Sequence, residues 1–305
     1  MRCPRLYELP PSPPGKTGWP WTEESPQLPD TMPDGRPWPR VSIVTPSLNQ
    51  GQFIEETIRS ALLQGYPNLE YIIMDGGSTD NSIEIIKKYE PWITYWESKK
   101  DRGQAHAINK GFKRATGEII AWLNSDDRYL ANAISRIIRE VNKNPYAVAW
   151  VGGCQLENPD GKILSIVIPK GLDLPDFSRW GYKTHFYQPS CFFNREAFFR
   201  VNGLNENLKF AMDFDLWLKL SKVGRFAGIS DIISVATIHR TAKTQDQRLK
   251  MHAETISIQI IHGYIPSAGE RLTSLLADAA NINFTKFLKG KISGIWKTLF
   301  KRTKR

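Results

Sequence analysis

Residues 41–240 predict an α/β fold with a mostly parallel central sheet and helices on both faces, and residues 241–305 predict a helical extension. Two observations carry this reading. From Val41 onward, short apolar runs alternate with segments whose apolar residues recur at helical spacing. The loops after the second and fourth of those runs collect carboxylates, and parallel strands bring such loops to one edge of a sheet.

The elements follow in order. Residues 1–40 hold eleven of the twenty prolines and three of the ten tryptophans. That much proline argues against helix or sheet. Trp19, Trp21 and Trp38 are costly to leave in water, so this segment is expected to wrap onto the domain as an extended arm. Val41 to Thr45 reads as a strand ended by Pro46, and Gln52 to Leu63 as a helix. Leu69 to Met74 is a second strand, followed by a helix from Asp80 to Tyr89 with Asp80 as its cap. Ile93 to Glu97 and Glu118 to Leu123 are the next strands, separated by a helix from Gln104 to Ala115. A further helix is expected from Arg128 to Val141. Beyond it, Tyr146 to Gly152 and Lys162 to Ile168 read as strands joined across the turn Asn158-Pro159-Asp160-Gly161. Helices over Asn194 to Val201 and Phe214 to Val223 precede two short strands, Arg225 to Ile229 and Ile232 to Ile238.

Composition excludes several classes. Three scattered cysteines make neither a disulfide framework nor a CxxC metal site, which points to a reducing, cytoplasmic compartment. No apolar run is long enough to span a bilayer. The net charge of +10 sits mostly in residues 284–305, which hold eight Lys or Arg and no Asp or Glu, so no nucleic-acid partner is expected. In the same stretch Phe287, Leu288, Ile292, Ile295, Trp296 and Leu299 recur at helical spacing. A basic amphipathic helix of this kind suits an anionic membrane surface, or packs its apolar side on the domain. Neither a GxGxxG after the first strand nor a Walker A lysine motif is present, which disfavours dinucleotide oxidoreductases and P-loop enzymes.

The carboxylate loops carry the chemistry. Asp75-Gly76-Gly77-Ser78-Thr79-Asp80 ends the second strand and Asn124-Ser125-Asp126-Asp127 the fourth. Clustered carboxylates repel unless a cation or donor groups compensate, and oxygen ligands suit Mg²⁺ or Mn²⁺. With Thr45-Pro46-Ser47-Leu48-Asn49, Gln104-Ala105-His106-Ala107-Ile108-Asn109-Lys110-Gly111 and Met212-Asp213-Phe214-Asp215-Leu216-Trp217-Leu218, these motifs stand in a fixed order. The ordered set resembles family 2 glycosyltransferases, which have the Rossmann-like GT-A fold, over residues 41–240.

The resemblance implies an inverting, metal-dependent transfer of a sugar from a nucleotide-diphosphate donor to a saccharide acceptor. That acceptor is lipid-linked or free, in cell-surface polysaccharide synthesis. It implies Asp213 as catalytic base, Asp127 and His239 as ligands of Mn²⁺ or Mg²⁺, and Thr45, Pro46, Asn49, Asp75, Asn109 and Asp126 as donor-binding. It places His185, Gln188 and Asp215 at the acceptor. Capping of the following helix is the competing role for Asp126, Asp127 and Asp213. Gly76 stands where the family often has a base-contacting Asp, and Met212 where it often has Glu. Those departures leave a non-catalytic sugar-binding relative as the rival reading.

Overall fold

Strands of four to seven residues, too short for helices, form the centre of the protein, three of them uniformly buried and the edge strand half-buried. In the computed structural model, which describes residues 1–179, 186–239 and 248–280, they are β1 (Val41–Ser47), β2 (Leu69–Asp75), β3 (Tyr95–Ser98) and β4 (Ile119–Trp122). Between them run α1 (Ile54–Leu62), α2 (Ser82–Lys88) and α3 (Gln104–Arg114). Then come β5 (Arg128–Tyr129), α4 (Ala133–Lys143), β6 (Ala149–Glu157), β7 (Ile163–Val167) and α5 (Leu174–Ser178). The series continues with β8 (Cys191–Asn194), α6 (Arg195–Arg200), α7 (Met212–Ser221) and β9 (Phe226–Thr237). Among the described residues these strands form one sheet in the order β3-β2-β1-β4-β8-β6-β9-β5, with β7 paired to β6. The first four strands are parallel, β8 runs antiparallel to β4 and β6, and β6 and β9 are parallel.

Register decides where the chemistry sits. Ser47 lies opposite Asp75, and Val44 opposite Trp122, so the loops after β1, β2 and β4 leave from one edge of the sheet. Contrary to the sequence reading, β1 does not stop at Pro46. Val44 turns its carbonyl to Leu123 N on the β4 side, and Pro46 faces that same side two residues later, past the end of β4. A missing N–H has no partner to lose there.

Three other boundaries differ from expectation. The stretch from Arg128 is first a short strand on β9 and becomes helix only at Ala133, after Asn132 in a left-handed conformation (φ 63°). The two strands expected over 225–238 are one, β9, whose exposed middle at Ser230 and Asp231 had looked like a break. Its register against β6 shifts at Gly153, and a Cβ on Gly152 would stand 2.5 Å from Ile233 Cγ1, so glycine permits that close approach. Cys191 to Phe193, given no element by the sequence reading, form with Asn194, expected to open a helix, the antiparallel strand that joins the two halves of the sheet.

α7 is seated by aromatic packing. Trp217, fully buried, stacks on Trp122 of β4 with ring centroids 5.6 Å apart and an interplanar angle of 13°. Phe193 of β8 and Phe226 of β9 meet Trp217 edge-on.

Residues 1–40 pack as an extended arm. Cys3, Leu9, Trp21 and Met32 are buried. Trp19 Nε1 donates to Tyr129 O at 2.8 Å, and Trp38 sits edge-on to Tyr66 at 5.7 Å. The arm is gripped by Arg59 of α1, only 1% exposed. Its guanidinium donates to Pro10 O (2.8 Å), Pro20 O (3.0 Å), Trp21 O (3.0 Å) and Tyr89 Oη (3.1 Å).

The chain divides into two units, 1–242 and 243–305. The second holds α8 (Arg248–Ile261) and α9 (Ile265–Ala280), tied by Arg271 Nη1 and His252 Nδ1 at 3.0 Å. The basic amphipathic stretch 284–305 lies outside the described residues. Among the described residues no helix is long and apolar enough to cross a membrane.

Candidate active site

The loop after β2 is built around Asp75. Its carboxylate, on a residue 2% exposed, accepts the N–H groups of Gly77 (3.0 Å) and Ser78 (2.8 Å) and the hydroxyls of Ser78 and Ser98 (2.6 Å to the latter). Asn49, with a left-handed backbone (φ 53°), joins this loop to the one after β1. Its N–H donates to Ser78 Oγ at 2.7 Å, and its side-chain oxygen accepts Thr79 N at 2.8 Å. Thr45 supports from beneath, its hydroxyl 3.0 Å from Tyr71 Oη in the buried sheet. Asp80 accepts Ser82 N (3.0 Å) at the start of α2 and Gly51 N (2.8 Å) before α1, so it ties two loops as well as a helix end.

Asp75→Ala leaves two buried or half-buried N–H groups without an acceptor. It is expected to lower unfolding free energy by about 1–3 kcal/mol, read from urea denaturation. A loss below that range would mean the loop is held by other means.

A Cβ at Gly76 would stand 2.8 Å from Asp101 Oδ2, so the Asp101 carboxylate fills the flank where a side chain at 76 would point. Asp101 also accepts Gly103 N at 2.7 Å. Asp101 carried no motif signal in the sequence. Asn109 is engaged elsewhere: its amide donates to Leu204 O (2.9 Å) and Glu206 Oε1 (3.2 Å) and accepts Leu204 N (3.0 Å), fastening α3 to the loop before α7.

The acidic loop after β4 separates its two carboxylates. Asp127, 7% exposed, turns inward, where Oδ1 accepts Thr237 N (3.1 Å) and Oδ2 accepts Asn124 Nδ2 (3.1 Å). Thr57 Oγ1 donates to its carbonyl at 2.7 Å. Burial pushes the Asp127 carboxyl well above the usual range, and the charge of Asp126 pushes it the same way. Asp126 turns toward the end of β9, and its Oδ2 lies 3.0 Å from His239 Nε2. The His239 ring packs on Phe53, centroids 4.9 Å apart. The sequence had coupled His239 with Asp127; the structure brings it to Asp126. Neither Asp caps a helix, since α4 begins at Ala133. Among the described residues no three His, Cys, Asp or Glu side chains gather tightly enough to hold a metal ion by themselves.

Asn124 is the hub of this loop. It accepts Gln104 Nε2 (2.8 Å) and donates to Gln188 Oε1 (3.2 Å) as well as to Asp127. Gln188 in turn donates to Trp122 O at 2.7 Å, which joins it to the acidic loop. Asp213 is half-buried in the first turn of α7, one turn before Trp217, and its Oδ1 accepts Phe214 N at 2.8 Å. The helix's cap position is Ala211, so capping does not explain Asp213. Asp215 is 7% exposed and ion-paired with Lys219 at 2.9 Å, which also donates to Gly203 O; it serves the junction of α7 with the preceding loop. His185 lies outside the described residues.

Comparison with known proteins bears on the family and the fold. The family model described as Glycosyl transferase family 2 matches residues 42–202. Chondroitin synthase of Pasteurella multocida (strain Pm70) is 32% identical over 225 residues, covering 70% of this chain and 22% of that protein. Hyaluronan synthase of Pasteurella multocida is 32% identical over 209 residues, covering 66% and 21%. The chain thus spans about a fifth of the length of these relatives. Among solved structures, S. aureus TarS 1-349 in complex with UDP-GlcNAc matches with a TM-score of 0.60 at 16% identity, over 83% of this chain and 76% of that one. Mannosyltransferase PcManGT from Pyrobaculum calidifontis, in complex with GDP-Man and Mn2+, matches with a TM-score of 0.56 at 20% identity, over 88% and 86%. At such identities the likeness is one of fold.

Proposed function

Since the chain belongs to glycosyl transferase family 2, we propose that it transfers a sugar from a nucleotide-diphosphate donor to a saccharide acceptor, with inversion and with a divalent metal. The pair of Asp126 and His239, 3.0 Å apart at the ends of β4 and β9, carries this reading. A carboxylate oxygen and an imidazole nitrogen fit Mn²⁺, so Asp126 and His239 would hold the ion beside the donor diphosphate. Two adjacent carboxylates, one of them desolvated, also gain from a nearby cation. The assignment therefore moves from Asp127 to Asp126, with Asp127 holding the loop from within. The ion supplies positive charge against the leaving diphosphate.

Asp213 is the proposed base. On the far side of the donor sugar from the diphosphate, its carboxylate takes the proton of the acceptor hydroxyl as that oxygen attacks the anomeric carbon. Trp217 stacked on Trp122 couples the helix bearing Asp213 to the strand bearing the acidic loop, which keeps the two groups in register. Asn49 and Asp75 shape the donor loops through backbone contacts, and Asn109 acts from behind, through the 204–206 segment. Gln188 is the acceptor-side residue nearest the acidic loop by its bond to Asn124. The basic pattern of 284–305 suits the cytoplasmic face of an anionic membrane, where a lipid-linked acceptor would be met.

The direct test is release of nucleoside diphosphate from UDP-, GDP-, dTDP- and CDP-sugars in the presence of Mn²⁺, with and without EDTA. One donor should be consumed, and EDTA should stop it. Tight donor binding with no release on any acceptor would instead favour the non-catalytic reading.

A further inference from the structure

The N-terminal arm closes a cavity of about 300 Å³ on the flank of the acidic loop. The arm lines it through Lys16, Thr17 and Trp19, the turn between β6 and β7 through Asp160, and the acidic loop and β5 through Asp126 and Arg128. Phe53, at the end of the loop after β1, lines it together with Glu56 and Thr57 of α1, whereas among the described lining residues none comes from the β2 loop and neither Asp213 nor Gln188 is present. The cavity therefore borders the Asp126 side of the site and excludes the β2 loop and the base.

The arm is held firmly. Arg59 binds the arm carbonyls on both sides of this segment, at Pro10 and at Pro20 and Trp21, while Trp19 Nε1 is fixed on Tyr129 O. Between those anchors the chain bulges outward through Gly15 (φ 82°) and Gly18 (φ 74°), both in the left-handed region that glycine tolerates. The arm lies outside residues 42–202, which the family model matches.

Its chemistry is specific about charge. The carboxylates of Glu56, Asp126, Asp127, Glu157 and Asp160 line the cavity, against the cations Lys16 and Arg128. Arg128 is already ion-paired with Glu56 (3.2 Å) and Glu157 (2.6 Å), which leaves Lys16 as the lining cation not so committed. Leaving aside Asp127, whose carboxyl is pushed upward by burial, the lining carboxylates still outnumber the cations, so away from any ion at Asp126 an anionic ligand would meet a net negative field there. A neutral sugar ring suits it: hydroxyls donate to carboxylates, and the C–H face packs on the half-exposed indole of Trp19.

We propose that this cavity is a subsite for a neutral saccharide ring of the acceptor, away from the reacting end. The proposal rests on the glycosyltransferase reading above. Saturation-transfer NMR on the full chain tests it, with maltotriose, mannotriose and chitotriose as neutral probes and hyaluronan and chondroitin tetrasaccharides as acidic ones. Thr17→Trp and Asp160→Trp, both at exposed lining positions, place bulk in the cavity from the arm and from the β6–β7 turn. At least one neutral trisaccharide should bind the wild type and bind both variants at least about tenfold more weakly, and the acidic probes should not bind. No binding of any neutral probe, preference for the acidic ones, or binding unaltered in both variants overturns the proposal. Nucleotide and Mn²⁺ stabilisation of the same proteins separates the two ideas. If it persists while saccharide binding fails, the subsite alone falls; if it is absent from the wild type, the glycosyltransferase reading falls with it.

Discussion

Asp213→Asn is expected to lower turnover by about 10²–10⁴-fold while leaving donor binding unchanged. The amide keeps the shape of the carboxylate and can keep the Phe214 N–H bond through its oxygen, so the fold of α7 is not at stake. What it loses is the ability to take a proton. Steady-state transfer with the donor identified by nucleotide release measures this, with the thermal midpoint as the control for folding. Retention of more than about a tenth of wild-type turnover lies outside the range for loss of a general base and would remove Asp213 from that role.

The second large effect is on stability. Arg59→Met is expected to cost about 3–5 kcal/mol, because it removes a buried charge whose partners stay behind. Pro10 O, Pro20 O and Trp21 O lose their donor, Tyr89 Oη loses a neighbour, and Trp21 loses the guanidinium 5.5 Å from its ring centroid. Urea unfolding reads the loss. Limited proteolysis should then cut within 10–21, the span those bonds hold. A variant within about 1 kcal/mol of wild type and equally resistant to protease would show that the arm is held by its apolar residues alone.

Arg59 also shows where sequence reading reaches its end. It lies in α1 beside Ile58, and helical periodicity describes it as a flank residue. Only the arm's carbonyls, some forty positions earlier, make it a buried clamp. The four parallel strands and three helices from 41 to 122 were legible because apolar runs and helical spacing are local signals. In the second half β6, β7, α6 and α7 were legible for the same reason, but β8 and the continuity of β9 were not: β8 is four residues of a short run, and β9 is interrupted by Ser230 and Asp231, whose exposure comes from tertiary position and not from a turn.

The site divides in the same way. That the acidic loop and Asp75 share a sheet edge follows from parallel strands. Which of Asp126 and Asp127 faces His239 does not, because it depends on Thr237 N reaching Asp127 across the β5–β9 pairing. Asn49 and Asn109 look equally suited to a ligand in sequence, yet both amides are engaged by neighbouring loops. Phe53 helps organise the centre without any signal of its own, and Asn124, though it opens the acidic motif, gave no sign of its bonds to Gln104 and Gln188, since stacking and relay roles have no fixed spacing.

The most direct test of the account is the thermal unfolding of wild type and Asp126→Ala with UDP, GDP, dTDP and CDP, each with and without Mn²⁺. The account predicts that one nucleotide stabilises the wild type by about 2.7 kcal/mol at a hundredfold excess over its dissociation constant, only with Mn²⁺, and that Asp126→Ala abolishes the effect. Full stabilisation of Asp126→Ala, or a shift indifferent to Mn²⁺, would contradict it.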